Sequence, residues 1–114
     1  MDINVRQEDS VNVVRMRGAF RLGPPVDEFR QVIDPILADG EARIVLNLAE
    51  VPTVDSSGIG ALVKAQTTAA QRGGAVKLVS PASFVLQTLK LVGLVHIFEI
   101  HPSEAAAVGS FNKD

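Results

Sequence analysis

Residues 44–48 read Ile44-Val45-Leu46-Asn47-Leu48, and shortly after them comes Val51-Pro52-Thr53-Val54-Asp55-Ser56-Ser57-Gly58-Ile59-Gly60. The first run is short, β-branched and nearly continuous in apolar character, which predicts a central strand covered on both faces. Beyond the second run, Ile59, Leu62, Val63, Ala69 and Ala70 fall on one face of a helix that Gly73-Gly74 closes. Gln66 interrupts that stripe, so the face is expected to be only partly buried. A strand, a polar loop and a helix in this order point to the α/β class.

Working outward, Ile3 and Val5 alternate with polar residues as a strand would, and Glu8-Asp9-Ser10 is turn material. Val11-Asn12-Val13-Val14-Arg15-Met16-Arg17 predicts a second strand ended by Gly18. Its alternation slips at Val13-Val14, so both of its faces are expected to be partly covered. Pro24-Pro25 opens a helix with Asp27 and Glu28 in the favoured acidic first turn. Val26, Phe29, Ile33, Ile36 and Leu37 form its apolar face, and Gly40 stops it. Pro35 should kink or split that helix, because it removes the bond to the carbonyl of Gln31 at a cost of about 3 kcal/mol.

Ala75-Val76-Lys77-Leu78-Val79 predicts the next strand. A helix follows, with Ser80 as N-cap, Pro81 at its first position, an Ala82, Val85, Leu86, Leu89, Val92 stripe, and Gly93 just past its end. Ile97-Phe98-Glu99-Ile100 predicts a last strand and Ser103 to Val108 a last helix. The result is one domain over residues 1–114, a mixed four- to five-stranded sheet packed with about four helices.

Composition excludes several classes of function. Eleven basic and 13 acidic residues leave a net charge of −2, too balanced to favour a nucleic-acid backbone or an anionic membrane as partner. No Cys is present, so a disulfide scaffold, a thiolate zinc site and a cysteine nucleophile are ruled out together. No Trp or Tyr and only five Phe argue against stacking on single-stranded bases. No apolar run reaches the roughly 18 residues of a membrane span, so direct membrane insertion is not expected. Asp2 and the lack of an apolar signal core argue against export, and a cytoplasmic protein is expected.

Catalytic signatures are equally thin. His96 and His101 stand five apart with no acid placed beside both, which reads as two surface histidines rather than a metal site. Gly58-Ile59-Gly60 is followed by Val63 where a dinucleotide loop needs Gly or Ala, and the phosphate-loop signature is missing. Ser56, His96 and Asp55 compose a triad on paper only, because Ser56 lacks the Gly-x-Ser-x-Gly elbow. A non-enzymatic protein without cofactor is the reading these residues favour.

The densest unusual chemistry is Asp55-Ser56-Ser57-Gly58-Ile59-Gly60. Helix capping needs one Asp or Ser, and three occur in succession. Neither Ser has Glu or Gln three positions on, so no capping box explains the pair. Gly58 and Gly60 each cost about 1 kcal/mol against Ala inside a helix, which suggests that something approaches the backbone closely. A phosphoserine here would meet the N–H donors and positive dipole end of the helix, and would add about −1.5 to −2 charge. Burying that dianion against a partner would cost several kcal/mol. A loss of only ~3 kcal/mol weakens a micromolar complex by about 150-fold. The site has the makings of a binding switch that leaves the fold intact.

The run Ile44 to Leu48, then Val54-Asp55-Ser56-Ser57-Gly58-Ile59-Gly60-Ala61-Leu62, resembles the signature of STAS domains, in particular of bacterial anti-sigma factor antagonists. The resemblance continues through Gly73-Gly74, Leu78-Val79, Ser80-Pro81, Leu91-Val92-Gly93-Leu94 and Ile97-Phe98. It implies that Ser56, the first Ser after the Asp, is the phosphoacceptor, with Ser57 the alternative. It implies a partner-switching cycle: an anti-sigma factor with a kinase-type ATPase fold binds and phosphorylates the antagonist, and a PP2C-type phosphatase reverses the modification. The bare antagonist captures the anti-sigma factor and frees the sigma factor. The contact surface so implied gathers the loop before Ser56, the start of its helix and the next helix, with Asp55, Ser56, Ser57, Gly58, Ile59 and Gly60 at its centre.

One departure stands out. Antagonists of this family commonly carry an acid shortly after the Gly that ends the second strand, whereas this chain reads Gly18-Ala19-Phe20-Arg21-Leu22-Gly23. With Arg21 near Ser56, a base could pair with a phosphate there; the plain alternative is a solvated surface Arg. The runner-up function is a STAS domain serving as a regulatory or scaffold subunit of a membrane transporter or stress-signalling complex.

Overall fold

Two turn residues with positive φ, Asp9 at 51° and Ser10 at 68°, fold the start of the chain into a hairpin of β1 (Asp2–Glu8) and β2 (Val11–Arg17). The computed structural model describes residues 1–40 and 42–112. After the hairpin come α1 (Pro24–Ala38), β3 (Arg43–Glu50), α2 (Ser56–Gln71), β4 (Ala75–Val79), α3 (Ser83–Leu91), β5 (Ile100–His101) and α4 (Glu104–Phe111). The strands lie in the order β1-β2-β3-β4-β5, antiparallel between β1 and β2 and parallel thereafter. This is the mixed sheet with four α-helices that the sequence predicts.

The slip at Val13-Val14 has the expected consequence. Val14 and Met16 join Ile44, Leu46 and Leu48 of β3 in the larger core, which α1 and α2 cover with Phe29, Ile33, Ile59 and Leu62. Val11, Val13 and Val45 face the other way and meet Ala107 and Val108 of α4. α4 is fixed there by charge as well as by packing. Glu104 accepts bonds from Arg15 at 2.8 and 3.0 Å and from Asn47 at 2.9 Å, and Arg6 approaches it at 3.0 Å. Further along the helix, the buried Lys77 ammonium donates to Ser110 Oγ at 2.6 Å and lies 4.2 Å from the Phe111 ring centre.

Four sequence expectations need correction. Pro35 does not split α1, because Gln31 and Pro35 both lie on the exposed side, where water can satisfy the carbonyl that lost its donor. Ser80 does not cap α3: it sits at φ 48° and donates to the Pro102 carbonyl at 2.9 Å, tying β4 to the loop before α4. Helix α3 starts at Ser83, and only Val85 and Leu89 of the expected stripe are buried in it, with Val92 exposed. Residues 95–97 form a 3₁₀ turn that drives Phe98 into the core, which leaves β5 only Ile100 and His101. The short β5 explains Gln66: pairing of β4 with β5 begins at Leu78, and the Val76 N–H donates instead to Gln66 Oε1 at 2.7 Å.

The Glu104 contacts make α4 sensitive to acid. Hydrogen bonds from Arg15, then from Asn47 and Arg6, lower the Glu104 carboxyl from 4.5 to about 2. A depressed carboxylate stabilises the fold above its unfolded value near 4.5 and loses that contribution as pH falls towards 2. Because Arg15 is exposed, solvent screening limits the contribution to the order of 1–3 kcal/mol. Glu104→Gln should therefore be less stable than wild type at pH 7 in urea unfolding. The gap should close between pH 4.5 and pH 2; a gap that stays constant with pH would contradict this assignment.

Candidate functional site

The loop between β3 and α2 is built by β-like pairing to the loop after β2. Phe20 bridges Val54 in parallel register, the Phe20 N–H donates to the Thr53 carbonyl at 3.0 Å, and the Asp55 N–H donates to the Phe20 carbonyl at 3.2 Å. Asp55 then holds both loops with one carboxylate. Its Oδ1 accepts from the Gly58 N–H at 2.9 Å as the N-cap of α2, and its Oδ2 accepts from the Leu22 N–H at 2.9 Å. The N–H groups of Leu22 and then Gly58 hold the carboxyl below its ordinary value, so it is ionised at neutral pH.

With Asp55 as the cap, the serines are left over. Ser56 is the first residue of α2 and is exposed; Ser57 is half-buried. Among the described residues neither side-chain hydroxyl makes a hydrogen bond. The triad on paper is not assembled, since the Asp55 carboxylate is committed to two backbone N–H groups and no histidine bonds to it or to Ser56. The expectation for a phosphate also changes in one respect. Asp55 already takes the Gly58 N–H, so charge added at Ser56 would share the helix start with an existing anion that occupies one of its donors.

The two glycines separate cleanly. A Cβ on Gly58 would stand 2.5 Å from the Phe20 carbonyl oxygen and 2.7 Å from Val54 Cγ2, so the chain's own packing requires glycine there. A Cβ on Gly60 would meet nothing within 4 Å, and the residue is exposed. Internal packing thus explains one of the two glycines.

Gly60 and Ser56 both line an open, mainly apolar groove of about 690 Å³ between α2 and the α3 end, with Ile59, Val63, Val92 and Leu94. Beside it Leu91 is 89% exposed, and Phe84 on the same helix is also exposed. Sequence reasoning misses Leu22, which is 73% exposed on the loop that Asp55 holds. No periodic pattern marks Leu22, because it sits between elements. Arg21 is exposed and makes no ion pair among the described residues. Its neighbours Phe20 and Leu22 both bond to Asp55, which brings the Arg21 loop and the Ser56 helix start together. His96 is exposed on the 3₁₀ turn, and His101 lies 3.2 Å from Glu99.

Gly58→Ala and Gly60→Ala should therefore move stability in opposite directions. The first should destabilise by about 1–3 kcal/mol through overpacking, and the second should stabilise by up to about 1 kcal/mol through helix propensity. Thermal unfolding of the two variants checks this, and a destabilised Gly60→Ala would refute the reading of Gly60 as structurally free.

Comparison with known proteins follows the same lines. A candidate anti-sigma factor antagonist from Thermotoga maritima superposes with a TM-score of 0.89 at 25% identity, over 97% of this chain and 95% of that one. Unphosphorylated SpoIIAA, an anti-sigma factor antagonist, gives 0.80 at 20% identity over 97% and 96% of the two chains. The murine anion transporter Slc26a9 gives 0.79 at 25% identity over 96% of this chain but 19% of that one. No curated protein matches in sequence. The sequence profile of the STAS domain matches residues 2–107, and the chain belongs to the STAS domain family.

Proposed function

We propose that this chain is an anti-sigma factor antagonist that works by phosphorylation-controlled partner switching. With Ser56 bare, it captures an anti-sigma factor of kinase-type ATPase fold and so releases a sigma factor. The anti-sigma factor phosphorylates Ser56 and dissociates, and a PP2C-type phosphatase restores the hydroxyl. The observation that carries this reading is the exposed Ser56, free of hydrogen bonds, beside an apolar groove and a glycine that internal packing does not need.

Each part of the surface has a physical role in that cycle. Gly60 lets a partner's backbone come close to the α2 helix. Val63, Val92 and Leu94 in the groove, with Leu22 and Leu91 nearby, provide apolar area. Ser56 sits where a hydroxyl can be covered but a dianion cannot, because the Asp55 carboxylate next to it already supplies one negative charge. Ser57 is the weaker acceptor of the two, being half-buried. Arg21 faces the partner as a cation where the family commonly has an acid, on the loop that Asp55 ties to the Ser56 helix start. The chain acts without catalysis or cofactor of its own, in the cytoplasm; among the described residues no helix is long and apolar enough to cross a membrane.

The likeness to Slc26a9 favours a second reading, a STAS domain serving a transporter or a stress-signalling scaffold. The two separate on their dependence on Ser56. In pull-downs from the native host, wild type and Ser56→Ala should retain an ATPase-fold anti-sigma factor, and Ser56→Asp should lose it, by about 150-fold if the penalty is ~3 kcal/mol. Capture of the same transporter or scaffold proteins by all three would replace the first reading with the second.

A further inference from the structure

β1 is an edge of the sheet, and its outer side is bare. Among the described residues, no backbone hydrogen bond outside helices and ladders involves residues 2–8. The strand runs seven residues with no proline and no bulge in its register with β2. Such an edge is a template for a further strand. We propose that it pairs antiparallel with β1 of a second copy of this chain, about a two-fold axis at Asn4, to give a dimer with a continuous ten-stranded sheet.

The register follows from backbone geometry and charge. The two-residue turn Asp9-Ser10 makes Glu8 and Val11 a hydrogen-bonded pair, so along β1 the even residues turn their N–H and C=O towards β2. Ile3, Val5 and Gln7 therefore turn theirs outward. Antiparallel partners must both face each other, so an added β1 can shift only in steps of two residues. Centred on Arg6, the pairing sets Arg6 against Arg6. Centred on Val5, it sets Asp2 against Glu8 twice. Centred on Asn4, it sets Asp2 against Arg6 twice on the α4 side and Ile3 against Val5 twice on the α1 side.

Only the register on Asn4 joins opposite charges and apolar residues together. Ile3 with Val5 of the second copy makes the hydrogen-bonded pairs. Asp2 with Arg6 falls in the non-hydrogen-bonded pairs, where Cα atoms come within about 4.5 Å and side chains are closest. Within one copy Asp2 has no ion-pair partner among the described residues, and Val5 is 42% exposed. Arg6 is already held in place by Glu8 and Glu104, each at 3.0 Å, so it stands ordered for a third carboxylate. No β1 residue lines the groove beside Ser56, so both copies keep that surface open.

Sedimentation equilibrium from micromolar to millimolar protein tests this with three chains. Wild type should rise from 12.1 kDa towards twice that mass. Asp2→Lys, which sets a lysine against Arg6, should raise the dissociation constant at least five-fold. Val5→Pro, which removes an outward N–H without touching the β1–β2 ladder, should abolish association, with circular dichroism checking its fold. A wild type that stays monomeric to 1 mM overturns the proposal. So does a folded Val5→Pro that still dimerises. An Asp2→Lys that dimerises more tightly overturns it too, since that outcome selects the register on Val5, in which the substituted side chain faces Glu8.

Discussion

One carboxylate, that of Asp55, carries the architecture of this surface. It satisfies a free N–H at the start of α2 and an N–H of the loop after β2, and so locks two segments 33 residues apart into one platform. Around it the main chain pairs as if the sheet ran on past its strands, through Phe20 and Thr53 to Val54. The close approach of α2 to Phe20 leaves no room for a side chain at position 58. Cap, bridge and glycine thus depend on one another, and the geometry they fix presents Ser56, Leu22 and Arg21 together at the C-terminal end of β3.

That arrangement separates the residues that hold the site from those free to act. Asp55 and Gly58 hold it. Ser56 and Gly60 sit one and five positions on from the carboxylate, exposed, with no internal bond or contact that needs their identity. Under the proposed cycle a modification at Ser56 would have no internal hydrogen bond to break, and its effect would fall on whatever covers the groove. The ionised Asp55 would sharpen this effect, because a phosphate would add its charge next to a fixed anion with little screening once a partner excluded water.

Much of this was legible in the sequence, for physical reasons that also mark the limits. The nearly continuous apolar run at 44–48 suits a strand buried on two faces, and the Val13-Val14 slip points to cover on both faces of β2, which the two cores supply. Pro24-Pro25 and Ser103 mark helix starts because proline lacks a donor and serine supplies an acceptor. Ser80-Pro81 carries the same marks but obeys tertiary demand: Ser80 binds the Pro102 carbonyl, and the helix begins three residues later. The interruption at Gln66 reads locally as a defect and proves to serve β4, whose neighbour β5 is too short to take the Val76 N–H. Long-range pairs of this kind leave no periodic trace. The site itself was visible as excess: more small and polar residues than a cap requires. Which glycine the fold needs became visible only with Phe20 in place.

The central claim is that charge at Ser56 controls binding without altering the fold. The direct measurement is a chain with phosphoserine installed at position 56, compared with the unmodified protein by heteronuclear NMR and by titration with its captured partner. The account predicts backbone shift changes confined to residues near 20–22 and 54–64, an unfolding temperature close to that of the bare chain, and loss of the complex. Shift changes spread through β3, α1 and α4, or a complex that survives the phosphate, would contradict it.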